Sequence, residues 1–157
     1  NSYYEAQSSR AYQMLQKSIF KKLLLNGWLD EISGMENARW NYDTFTKYTV
    51  LDRDQIPDED QGELYCCTFS ADNDRCGYIV ISYSGDGLSK IRAVETPYLY
   101  DFLSERDQIK KKLETSGVDL STASARRAEA LGEDSSDPAE GIYFTDSKGN
   151  HYFYSFS

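Results

Sequence analysis

Apolar positions in the first part of the chain recur at helical spacing. Tyr12, Leu15, Ile19 and Leu23 lie three or four residues apart, and Phe20 and Leu24 widen the stripe. This predicts an amphipathic helix from Tyr3 to Leu25 with Ile19 on its buried face. Asn26-Gly27 supplies the stop, since both residues tolerate the left-handed conformation. Trp28, Leu29 and Ile32 extend the pattern by a short turn that ends at Ser33-Gly34. The period then changes to two. Trp40, Tyr42, Thr44, Thr46, Tyr48 and Val50 alternate through a strand from Arg39 to Leu51. Further strands are expected at Leu64–Phe69, at Tyr78–Tyr83 and at Leu88–Glu95. Tyr78–Tyr83 is apolar almost throughout, the mark of a central strand covered on both faces. Between these runs lie an acidic loop (52–62), the turn Ala71–Arg75 and the turn Ser84–Gly87. Connections this short imply an antiparallel meander over 39–95.

Thr96-Pro97 opens a second helix expected over 97–115, with Leu99, Phe102, Leu103, Ile109 and Leu113 on its apolar side. Residues 118–141 are small, polar and acidic. They are expected to form a mobile segment with one weak helix (Ala123–Leu131) and a loop from Glu133 to Glu140. The tail, 142–157, reads as an aromatic hairpin around the turn Asp146–Asn150. The expected whole is one α+β domain. Its N-terminal helix packs on an antiparallel meander of four to six strands, a second helix follows the meander, and the hairpin joins the sheet.

Composition narrows what such a domain does. The formal charge is 17 − 26 = −9, a field that repels phosphate backbones and argues against nucleic-acid binding. No apolar run reaches the ~18 residues of a membrane span. The chain opens on Asn1, so a signal peptide or anchor removed upstream is expected, with a location outside the cytoplasm. Cys66 and Cys67 are adjacent and point to opposite faces of a strand. Pairing Ser70 with Cys76 around the turn sets Cys67 opposite Ile79, out of register for a bridge. The three thiols are therefore expected as small buried hydrophobes, a Cys76 disulfide being the alternative.

Candidate chemistry is sparse. His151 is the single histidine, and an exposed cross-strand role suits it better than acid–base work. Nothing near Cys66 or Cys67 would lower a thiol pKa, and the Cys/His spacing does not suit zinc. Asp72-x-Asp74-x-Cys76-Gly77 opens like a calcium loop, yet Cys stands at its fifth position and Tyr83 at its twelfth. Asp52, Asp54, Asp58 and Asp60 could hold a hard cation weakly, although a solvated acidic loop explains them better. Gly85-Asp86-Gly87 opens no helix, so it is a turn and not a phosphate cradle. No cofactor is indicated. The positive feature is aromatic: 13 Tyr, 7 Phe and 2 Trp. Trp40, Tyr42, Tyr48, Tyr152 and Tyr154 are the candidate contacts for a protein partner. The competing assignment packs Trp40, Tyr42 and Tyr48 beneath the first helix.

Cys76-Gly-Tyr-Ile-Val-Ile-Ser-Tyr83, followed by Ile91-Arg-Ala-Val-Glu-Thr-Pro-Tyr98 leading into a helix, carries a family likeness. Over residues 5–103 the chain resembles the pro-domain-like, PepSY/cystatin-like modules that precede papain-like peptidase domains in extracellular Gram-positive proteins. The resemblance implies a non-catalytic domain that inhibits, chaperones or docks onto a peptidase or surface protein. No peptidase domain follows within these 157 residues, a departure from that context. A pilin-like or sensor-type ectodomain and an enzyme of unidentified type are the alternatives.

Overall fold

The computed structural model describes residues 2–23, 27–29, 32–58, 62–85, 87–97, 102–130 and 139–156. Three short helices open the chain: α1 (Ser2–Gln7), α2 (Arg10–Leu15) and α3 (Ser18–Leu23). Four strands follow, β1 (Arg39–Leu51), β2 (Glu63–Ser70), β3 (Cys76–Ser84) and β4 (Gly87–Thr96). After α4 (Phe102–Thr115) come β5 (Ser124–Ala130), β6 (Ala139–Thr145) and β7 (His151–Ser155).

The expected single helix over Tyr3–Leu25 is thus broken twice, and serines explain the first break. Ser8 Oγ donates to Glu5 O at 2.9 Å and Ser9 Oγ to Ala6 O at 2.6 Å, which closes α1. Ser9 Oγ also accepts from Tyr12 N at 3.2 Å, capping α2. Leu15 stays in the core, but the second break, after Gln16, turns Ile19 out to 60% exposure. Of the expected second helix, 102–115 is helical, while 98–101 lie outside the described residues.

The sheet corrects the expected fold. It is a seven-stranded mixed sheet, ordered β4-β3-β2-β1-β5-β6-β7, and not a helix on a four-to-six-strand meander. The β1–β4 meander forms, with Ser70 opposite Cys76 and Cys67 opposite Ile79. Asn73 and Asp74 make its β2–β3 turn with φ of 61° and 58°. The centre, however, is β1 and not the apolar β3, because β5 pairs parallel to β1 from Tyr48↔Arg127 to Leu51↔Ala130. Within the weak helix expected at Ala123–Leu131, Ser124–Ala130 is therefore a strand, Leu131 lying outside the described residues: its Ala, Arg and Glu favour a helix in isolation, and cross-strand pairing overrides that preference. Of the loop expected at Glu133–Glu140, residues 133–138 lie outside the described residues, while Ala139 and Glu140 open β6.

Alternation along β1 fails at a bulge. Asn41 faces Thr68 and Thr46 faces Cys66, so four residues of β1 oppose one of β2. Thr44 Oγ1 pins this bulge, donating to Asn41 O at 2.6 Å and accepting from Thr68 N at 3.0 Å. The odd offset reverses parity. Trp40, Tyr42 and Phe45 consequently share the face under the helices with Ala11, Leu15, Tyr65, Cys67, Phe69, Ile79 and Ile81. Tyr48 turns to the opposite face, with Leu64, Cys66, Tyr78 and Val80. There α4 buries Leu113 against Ala125, Ile142 and Phe144.

That opposite face is concave. Arg92 on β4 meets Glu129 on β5 at 3.0 Å, four strands away. A flat sheet would separate those backbones by about 19 Å, whereas the two side chains and their bond span at most about 15 Å. Tyr78 on β3 reaches Glu140 on β6 across another four strand steps. The sheet curls inward around these groups.

Candidate functional site

The concave face gathers charged and phenolic groups from five strands and a helix. Arg92 is the hub. Its Nη1 donates to Glu129 Oε2 at 3.0 Å, and its Nη2 donates to Tyr48 Oη at 2.7 Å and Glu140 Oε1 at 2.6 Å. Tyr78 Oη donates to the same Glu140 oxygen. Arg127, beside Tyr48 across the parallel seam, pairs with Glu105 of α4 at 3.3 Å and approaches Glu140 at 4.0 Å. Its guanidinium lies over the Tyr78 and Phe156 rings, while Arg92 lies over Tyr48 and Tyr78.

Burial sets the electrostatics. It pushes the Tyr48 and Tyr78 phenols far above the ordinary tyrosine range, with nearby carboxylates adding to the effect. Glu129 is raised by burial against the opposing pull of Arg92, and Glu140, its direct partner across β5–β6, raises it further. Two guanidinium and three carboxylate groups thus nearly balance. Arg92 Nε is buried without a hydrogen-bond partner among the described residues. Charged groups held this way join the β1–β4 half of the sheet to the β5–β7 half. The sequence signal for them is faint: Arg92, Arg127 and Glu129 stand in polar stretches that read as surface charge.

The aromatic candidates separate. Trp40 and Tyr42 pack beneath the N-terminal helices, where Tyr42 Oη donates to Leu15 O at 3.3 Å. Tyr48 belongs to the buried network on the other side of the sheet. Tyr154 accepts from Lys112 Nζ at 3.2 Å, whereas Tyr152 is 40% exposed on β7. Among the described residues the loop acids do not converge on a point. Asp52 Oδ1 accepts from Asp54 N at 2.9 Å and Ile56 N at 3.1 Å, bracing its own turn. Asp58 lines a cleft of about 200 Å³ with Lys47, Tyr48, Glu63 and Arg126. Asp60 lies outside the described residues. Among the described residues no group of three or more His, Cys, Asp or Glu is placed to hold a metal ion. His151 is exposed, its ring 6.0 Å from that of Tyr143. All three cysteines are free and buried, and burial lifts the Cys66 thiol to about 11 and Cys67 higher still.

Two strands border the sheet, β4 and β7. β4 slips register between its pairs with Val80 and Ile81, leaving Ile91 as an extra, exposed residue, and α2 packs against the strand. β7 runs in unbroken register with β6 and contains neither Lys nor Pro. Phe156 N donates to Glu140 O at 2.8 Å. Alternation along an antiparallel pair then turns the amides and carbonyls of His151 and Phe153 away from β6. Among the described residues no helix is long and apolar enough to cross a membrane. Comparison with protein-family models, curated proteins and solved structures finds no match for this chain.

Proposed function

We propose that the chain is a non-catalytic protein-binding domain that captures an extended segment of another protein along β7. The carrying observation is the contrast between its two edges. A bulge and neighbouring Lys90 and Arg92 blunt β4 in the manner that discourages strand addition. β7 has none of these devices and presents Tyr152 and Phe156 at 40% and 37% exposure. An added strand would take its affinity from the outward backbone groups of His151 and Phe153, and its selectivity from the aromatic side chains. The resemblance to pro-domain-like modules supplies the form this capture would take: docking onto a peptidase or surface protein outside the cytoplasm.

A displayed library of random linear peptides, panned against the immobilised domain, tests the proposal. Binders should carry apolar residues at alternate positions, and should protect the His151 and Phe153 amides from hydrogen exchange. Tyr152→Lys should weaken them by about tenfold or more. Amides already protected in the free chain, or binders indifferent to Tyr152→Lys, would refute it.

A further inference from the structure

α3 is an exception in an acidic protein. Residues 17–23 carry Lys17, Lys21 and Lys22 and no acid, a local charge of +3 in a chain of −9. Ile19 and Leu23, one turn apart on this helix, are 60% and 36% exposed. α3 has no buried residue, and Phe20 against the Trp28 ring is its visible anchor. At helical spacing Lys22 flanks the apolar pair, while Lys21 turns back over the Tyr42 ring.

The β1–β2 loop is the converse. Residues 52–63 hold six acids (52, 54, 58, 59, 60 and 63) against Arg53, a net −5. Among them stands Ile56, 52% exposed. Its presentation is fixed in advance. Asp52 N donates to Ile56 O at 2.8 Å, Ile56 N returns a bond to the Asp52 carboxylate, and Asp58 N donates to Val50 O at 2.8 Å. A stretch braced in this way loses little entropy when it binds.

These two surfaces match in kind: exposed apolar side chains flanked by Lys22 on one, and exposed Ile56 in a sequence that carries Asp52, Asp54 and Asp58 on the other. They stand at opposite ends of β1. Lys21 lies over the ring of Tyr42, and the loop leaves after Leu51, about 20 Å away along the sheet once the bulge in β1 is allowed for. One copy cannot satisfy both halves. We propose that the chain associates with itself head to tail, α3 of one copy seating Ile19 and Leu23 against Ile56 of the next, with Lys22 facing Asp54. Such a contact is heterologous, so it propagates into short chains or closes into a ring. The patches are small, which puts the association in the weak class. It is independent of the peptide capture proposed for β7.

Sedimentation of the full chain from about 10 µM to about 1 mM tests it. The weight-average mass should rise with concentration. Lys22→Glu and Asp54→Lys change exposed residues, so both should keep the wild-type melting curve, and each alone should stay monomeric throughout. Mixed one to one, they should associate again, because the reversed helix of one meets the reversed loop of the other. Tyr152→Lys should leave the behaviour unchanged. A mass independent of concentration in the wild type overturns the proposal. So does association that survives in either charge variant, that fails to return in the mixture, or that Tyr152→Lys abolishes.

Discussion

Replacing Arg92 with Met retains much of the aliphatic volume and removes the cation from between Glu129 and Glu140. Those carboxylates face each other across β5 and β6, and Arg92 bonds both. Breaking a buried ion pair from one side costs about 3–5 kcal/mol. The Arg92 side chain keeps 25% of its surface exposed, so solvent screening lowers this to roughly 2–4 kcal/mol. The unpartnered Nε leaves with the guanidinium and returns about 1 kcal/mol. The expected net loss at pH 7 is about 1–3 kcal/mol, read as a fall in the urea midpoint with an unchanged slope. The pH dependence follows from Glu129, whose pKa in the folded chain is raised, first by burial. A raised folded value means that protonation favours folding, and that stability is lost as pH rises through it. Arg92 opposes the rise, so its removal extends the effect. The difference between Arg92→Met and wild type should therefore shrink on acidification toward the ordinary glutamate range. Adding Glu129→Gln to Arg92→Met should recover part of the loss at pH 7. A loss below about 1 kcal/mol at pH 7, or one unchanged between pH 7 and pH 5, would show that these charges do not hold the sheet together.

The break between α2 and α3 separates two leucine-sized residues that helical spacing places on one stripe. Leu15→Ala should cost about 2–5 kcal/mol, against a change within about 0.5 kcal/mol for Ile19→Ala. Equal losses in thermal melts would contradict the break. Cys66 and Cys67 are fully buried, with thiols raised to about 11 or beyond. Neither should react with an aromatic disulfide reagent at pH 8 until denaturant is added, because the thiolate is both scarce and covered; prompt labelling of the folded chain would count against the assigned burial.

Several features could be read from the residues alone, because local chemistry dictates them. The strands from Arg39 to Glu95 follow from alternation between turn-forming clusters. The β2–β3 register follows from the short Asp72–Asp74 turn, which leaves few ways to close a hairpin. The exposed place of His151 and the buried thiols were likewise legible. Tertiary structure decided the rest. Ser8 and Ser9 are compatible with a helix until their hydroxyls find carbonyl and amide partners, so the division of the N-terminal helix was not visible in the spacing of Leu15 and Ile19. The bulge at Thr44 moved Tyr48 to the face opposite Trp40, which no alternating pattern can announce. Above all, Ser124–Ala130 became a strand because β1 and β6 offered it two ladders of backbone partners. That parallel pairing brings Arg127 and Glu129 to Arg92, residues 35 and 37 positions apart in the chain, and makes a buried charge network from side chains that look like ordinary surface charges. Local preference is a matter of tenths of a kcal/mol per residue, and long-range pairing and burial outweigh it wherever the chain can satisfy both.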